Sequence, residues 1–247
     1  MRLGFLTPSS NTVLEPAIAG LLRDTPEVTA HFARFRVVAI NLGAASSGQF
    51  DTSPILAAAE LLADAKVDAI CWAGTSGSWL GFGQDEALCR AIRESTGIPA
   101  TTATLAMREA LRAAGARKLA LVTPYLAEVQ RAILANLTTE GFEVTAERHL
   151  EDPGNFSFAQ HPAAKVDQLV EAAVAERPTE AVVIHCTNFR GLDGAARLEA
   201  KLGPLLLDSV AVSLWGALEV AGGPELAAPG RIFRLHSPHF KACLKND

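Results

Sequence analysis

No stretch of this 247-residue chain approaches the roughly 18 consecutive apolar residues of a membrane span, although 49% of its residues are hydrophobic. The apolar content therefore reads as core. The first ten residues hold too short an apolar stretch for a secretory leader, so a cytoplasmic protein is expected. Basic residues are few, with 22 Lys and Arg against 27 Asp and Glu and a net charge of −5. That balance offers no electrostatic footprint for nucleic acid or an anionic membrane. Cysteine is also sparse. Cys71, Cys89, Cys186 and Cys243 form no Cys-x-x-Cys pair and have no histidine at zinc spacing, so neither a metal cage nor a disulfide framework is expected. No Gly-x-Gly-x-x-Gly or Walker-type segment follows an apolar run, which argues against a nucleotide cofactor. Small-molecule chemistry without metal or cofactor remains, with association into a homo-oligomer left open.

What the chain does have is alternation. Short apolar runs at residues 3–6, 69–73, 119–122 and 181–184 read as strands. Stretches of helical period cover residues 13–22, 54–65, 86–94, 105–114, 128–137, 166–175 and 195–202. This alternation predicts an α/β fold with parallel sheets. Further strands are expected near 31–38, near 144–148 and at 205–207, and a closing helix over 210–220 returns to the first half. Thr12-x-x-Glu15 reads as a capping box, and Ser53-Pro54 as a cap followed by proline at the first helical position.

The two halves match each other. Arg2-Leu3-Gly4-Phe5-Leu6-Thr7-Pro8 parallels Lys118-Leu119-Ala120-Leu121-Val122-Thr123-Pro124 in chemical type. Carrying that register forward lays Asp68 to Thr75 on Glu180 to Thr187, so Gly74 takes the place of Cys186. The spacing agrees, since Gly74 lies 66 positions after Pro8 and Cys186 lies 62 after Pro124. Two pseudo-duplicated lobes are expected, each a parallel sheet flanked by helices, with the active-site cleft between them. The first covers residues 1–112 plus about 209–222, the second 113–208, and residues 223–247 form a C-terminal tail.

Small ligands bind at the carboxyl ends of parallel strands or between lobes. The polar turns stand at such ends: Pro8-Ser9-Ser10-Asn11, Gly74-Thr75-Ser76-Gly77-Ser78, Pro124-Tyr125 and Cys186-Thr187-Asn188. Turn amides, the hydroxyls of Ser9, Thr75, Ser76 and Tyr125, and the side-chain amides of Asn11 and Asn188 suit a carboxylate or an enediolate. The same residues have structural uses as helix caps, turn formers and packing. Cys186 sits where a buried strand opens into a polar turn, the place for a proton-transferring thiol. Cys71 inside a strand and Cys89 on a helix face read as core. His185 points to the opposite face from its neighbour Cys186 and reads as structural. Arg36 and Arg190 suit a substrate carboxylate, but their spacing does not select them.

At these four turns the chain resembles the maleate cis–trans isomerase and arylmalonate decarboxylase branch of the aspartate/glutamate racemase superfamily, over about residues 1–220. Pro8-Ser9-Ser10-Asn11-Thr12 looks like the isomerase signature, and Cys186-Thr187-Asn188 is similar to the second cysteine motif. Racemases and isomerases of that group carry a cysteine in each half, commonly within Cys-Thr-Ser-Gly-Ser, whereas this chain has Gly74-Thr75-Ser76-Gly77-Ser78. In that glycine, in Tyr125 and in the single Cys186 it resembles arylmalonate decarboxylase. The resemblance implies a carboxylate site that includes Gly74, Thr75, Ser76 and Thr187, and a small dicarboxylate or monocarboxylate as substrate. Racemisation needs two groups flanking one carbon, whereas decarboxylation needs one proton donor. The leading expectation is therefore a cofactor-independent decarboxylase of a malonate-like diacid. Maleate isomerase or Asp/Glu-type racemase activity is the alternative, and a catalytically inactive carboxylate-binding protein is a further one.

Overall fold

Strand β1 (Arg2–Pro8) buries every residue after Arg2, the pattern of a strand covered on both faces. In the first half it is followed by α1 (Leu14–Leu21), β2 (Thr29–Phe35), α2 (Ser53–Asp64) and β3 (Ala69–Trp72). Then come α3 (Gly77–Leu80), α4 (Phe82–Thr96), β4 (Ala100–Thr102) and α5 (Ala103–Ala113). The second half runs β5 (Lys118–Thr123), α6 (Ala127–Thr139), β6 (Glu143–His149), α7 (Ala163–Glu176), β7 (Ala181–Ile184), α8 (Leu192–Leu202) and β8 (Leu205–Asp208). Helix α9 (Ser209–Ala221) closes the series. The structure is a computed structural model and describes residues 1–37, 52–237 and 240.

The two halves form separate four-stranded sheets of the same order, β2-β1-β3-β4 and β6-β5-β7-β8, with every pair parallel. The register is shared as well. Leu3 faces Ala69 and Leu6 faces Trp72, just as Leu119 faces Ala181 and Val122 faces Ile184. Counting two residues on from Trp72 and from Ile184 makes Gly74 and Cys186 structural equivalents. The strand starts are built alike too. Asp68 Oδ2 accepts the Arg2 backbone N–H at 2.7 Å, and Glu180 Oε2 accepts that of Lys118 at 2.9 Å.

Helix α9 leaves the second sheet through the Asp208 cap and packs on α5, β3 and β4 of the first. A β-carbon on Gly216 would come 2.5 Å from Ala106 Cβ, so glycine there permits the close approach of α9 to α5. This crossing fixes the two sheets together and sets how their strand ends face one another.

Several local details differ from expectation. Thr12 and Glu15 form no capping box. Asn11 Oδ1 instead accepts the Val13 and Leu14 N–H groups at 3.0 and 2.9 Å, while Glu15 pairs with Arg34 at 2.9 Å. A short side chain before the helix reaches those donors directly, and the Thr12 N–H is engaged across the lobes. Helix α2 begins one residue early, with Thr52 at the cap position, its carbonyl accepting from Ile55 and Leu56, and Pro54 second in the helix. Strand β4 and the short α3 were not expected, because three and four residues carry no readable period. The segment after 222 contains a short element. Arg231–Arg234 forms a 3₁₀ turn that buries Ile232 and Phe233, and Trp215 Nε1 donates to the Leu235 carbonyl at 3.0 Å. The strand expected near 31–38 ends at Phe35, and Val38 and Cys243 lie outside the described residues.

Candidate active site

The carboxyl ends of β1 and β3 meet those of β5 and β7. Tyr125, the only tyrosine of the chain, follows β5 and is 2% exposed. Its hydroxyl lies 2.6 Å from Thr75 Oγ1 at the end of β3, a bond between the lobes. Edge contacts with Trp79 and Phe158, at centroid distances of 5.2 and 5.4 Å, hold the ring in place. The same hydroxyl is the side-chain partner of the Cys186 thiol. Thr75, Tyr125 and Cys186 therefore form one buried polar cluster.

Burial governs the charge state of this cluster. It pushes the Cys186 thiol up to about 12, against the Tyr125 hydroxyl and the Asn188 backbone N–H, which favour the thiolate; Asp208 and Asp152 push the same way as burial. Burial and then the neighbouring Cys186 charge raise Tyr125 well above its ordinary range. Burial thus favours the protonated form of both groups.

Asn11, Thr187 and Asn188 come to the same place but are already engaged with each other's lobes. Asn11 Nδ2 donates to Thr187 Oγ1 at 3.1 Å, and Thr187 Oγ1 donates to the Ala73 carbonyl at 2.8 Å. Asn188 Oδ1 accepts the Thr12 N–H at 2.9 Å, while its Nδ2 donates to the Asn155 carbonyl at 2.7 Å. One N–H of each carboxamide is left over. Ser76 is half-buried at the start of α3. Ser9 is exposed and its Oγ accepts the Val37 N–H at 3.3 Å, so it lies at the rim of the group. Arg34 fastens that first turn by donating to the Ser9 and Asn11 carbonyls at 3.0 and 2.9 Å.

His185 is fully buried, with Nδ1 3.4 Å from Ser209 Oγ on the α9 side. Burial lowers it to about 4, only partly offset by the Thr75 backbone, so the ring is neutral. Cys71 and Cys89 are buried thiols pushed up by burial. Arg190 is spent on the Ala159 carbonyl and Asp193, and Arg36 is exposed.

Sequence reasoning passed over the loop after β6. Asp152 N donates to the Pro124 carbonyl at 3.0 Å, the Asp152 carboxylate faces Cys186 electrostatically, and Asn155 receives Asn188. The strand-end rule, applied to β6 as it was to its neighbours, points to this loop. Among the described residues no group of three or more His, Cys, Asp or Glu side chains is arranged to hold a metal, and no helix is long and apolar enough to cross a membrane.

Comparison with known proteins agrees with this geometry. A family model described as arylmalonate decarboxylase matches residues 12–233. The arylmalonate decarboxylase of Bordetella bronchiseptica is 35% identical over 159 residues, 64% of this chain and 66% of that protein. The maleate isomerase of Pseudomonas putida is 28% identical over 224 residues, 86% of this chain and 88% of that protein. A crystal structure of arylmalonate decarboxylase superposes with a TM-score of 0.77 at 26% identity, covering 95% of this chain and 100% of that one. The Nocardia farcinica maleate cis-trans isomerase, in a variant with a covalently bound succinylcysteine intermediate, shares the fold with a TM-score of 0.84 at 23% identity, covering 94% and 98%. These relatives are a decarboxylase and isomerases, so the chain is an enzyme of the lyase or isomerase type. Its duplicated sheets and the match over most of its length lead to one conclusion: the chain belongs to the arylmalonate decarboxylase family, within the Asp/Glu racemase-like superfamily.

Proposed function

We propose that this protein decarboxylates a malonate-like diacid without a cofactor, through an enediolate that Cys186 protonates. The observation that carries the reading is the asymmetry of two equivalent positions: a buried thiol at Cys186 and no side chain at Gly74. Proton exchange on both faces of one carbon takes two groups, whereas decarboxylation takes one. The match to the arylmalonate decarboxylase model and the 35% identity to that enzyme support the same choice.

In this mechanism the hydroxyls of Thr75, Tyr125 and Ser76 and the amides of the Gly74 turn hold the carboxylate that is retained. The spare N–H groups of Asn11 and Asn188 and the Thr187 backbone add to the cradle, with Ser9 at its rim. The bond from the α-carbon to the other carboxylate breaks, carbon dioxide leaves, and the electron pair passes into the retained carboxylate as an enediolate. Each preorganised donor to that dianion contributes about 3–4 kcal/mol of transition-state stabilisation. Cys186 then transfers its proton to the α-carbon from one face, and the thiolate recovers a proton from water. The test is proton NMR in deuterated buffer with a panel of aryl- and alkylmalonates, run beside Cys186→Ala. Deuterated monoacid formed only by the intact thiol is the expected result, and equal turnover by Cys186→Ala would sink the reading.

Maleate isomerisation is the second reading, favoured by the 86% of this chain that aligns with the Pseudomonas putida isomerase. Maleate in the same panel decides it, since conversion to fumarate without carbon dioxide release belongs to that chemistry alone.

A further inference from the structure

The first-lobe face of the site is filled where the thiol is missing. Trp72 is the last residue of β3, and Gly74 follows two residues later in the turn. A β-carbon built on Gly74 would overlap the Cζ2, Cε2 and Cη2 atoms of the Trp72 indole. By the shared register of the two sheets that β-carbon is the counterpart of Cys186 Cβ. The indole therefore takes the volume that a first-lobe proton-transfer side chain needs. It is held there, 4% exposed, with its ring centroid 4.9 Å from that of Phe35. The equivalent residue of the second lobe, Ile184, lies instead against Gly191, where a β-carbon would come 2.5 Å from Ile184 Cγ2.

We propose that Trp72 is a specificity-determining residue, its indole occupying the vacant proton-transfer position and closing the first-lobe face of the reacting carbon. The assignment rests on the decarboxylase reading and extends it. The atoms presented there are ring carbons, which deliver no proton and exclude water. A carbanion formed in the site then meets an acid only on the Cys186 face, and a prochiral malonate gives one enantiomer.

The test combines Trp72→Leu, Gly74→Ala and the double variant. With an aryl(methyl)malonate the wild type is expected to give one enantiomer. Trp72→Leu opens the face to water, and the share of the minor enantiomer rises by about tenfold or more. Gly74→Ala lowers the melting temperature in the wild-type background and lowers it less in the Trp72→Leu background, where the smaller side chain leaves room for the added methyl group. That difference is a coupling between the two positions. An unchanged enantiomeric ratio in Trp72→Leu overturns the proposal, and so does an equal cost of Gly74→Ala in both backgrounds. A wild-type protein that forms no monoacid from any malonate overturns the decarboxylase reading itself, and this assignment with it.

Discussion

Asn11 of the first lobe donates its Nδ2 hydrogen to Thr187 Oγ1 of the second at 3.1 Å, and Thr187 passes its own hydrogen to the Ala73 carbonyl at 2.8 Å. The residue after Cys186 is thereby fastened to the residue before Gly74. The two equivalent positions are held at a set separation by a buried hydroxyl. Relative motion of the lobes would break both bonds.

Thr187→Val keeps the shape of the side chain but leaves a buried donor and a buried acceptor unpaired. A loss of about 2–4 kcal/mol in unfolding free energy is expected, measured by urea denaturation. Asn11→Ala removes one of these bonds together with the cap on Val13 and Leu14, and a loss of about 2 kcal/mol is expected. A change within about 0.5 kcal/mol for both variants would show that the clasp carries no stability.

Tyr125→Phe preserves the contacts with Trp79 and Phe158 while deleting the hydroxyl shared by Thr75 and Cys186. The fold is expected to survive and kcat to fall by about 10² to 10³, the cost of one oxyanion donor. Turnover within threefold of wild type, about 0.7 kcal/mol, would remove Tyr125 from the chemistry.

The thiol of Cys186 is held protonated by burial up to about 12. Alkylation by iodoacetamide, followed by mass spectrometry of the Cys186 peptide, should be slow at neutral pH and should still be rising at pH 10. Rapid labelling with a plateau below pH 8 would mean a resting thiolate, which favours nucleophilic addition over proton delivery.

Asp208 is raised by burial to about 7, from an ordinary 3.8. The folded state therefore holds a proton that the unfolded chain has released, so this group's contribution to stability falls as pH rises from about 4 to 7. His185, lowered by burial to about 4 from 6.5, acts in the opposite sense, its contribution being lost as pH falls through the same range. Asp208→Asn can keep the Oδ1 cap on Val210 and Ala211 while removing the titration. Its melting temperature relative to wild type should climb between pH 4 and 7.5, and a constant difference would place the titration elsewhere.

Much of this architecture was legible in sequence because it rests on short-range rules. Buried parallel strands read as apolar runs, amphipathic helices between them show their period, and the match of Arg2 to Pro8 with Lys118 to Pro124 announced the repeat that the shared strand order and register bear out. Elements without enough length to show a period, β4 and α3, were not legible. The capping box failed for a related reason: the motif is local, but the Thr12 N–H is claimed by Asn188, 176 residues away.

By itself the sequence determined that Cys186 has no partner thiol at the matching place, that four polar turns end four apolar strands, and that two like halves build the molecule. Those facts follow from residue type and spacing alone. Only the tertiary structure decided what surrounds the thiol. It gave Asn11, Thr187 and Asn188 to the joint between the lobes, brought Tyr125 onto Thr75, and laid the Trp72 indole over Gly74. The reason is physical: burial, charge state and the direction of a side chain depend on what packs from the other lobe, and no spacing along one chain encodes that contact directly.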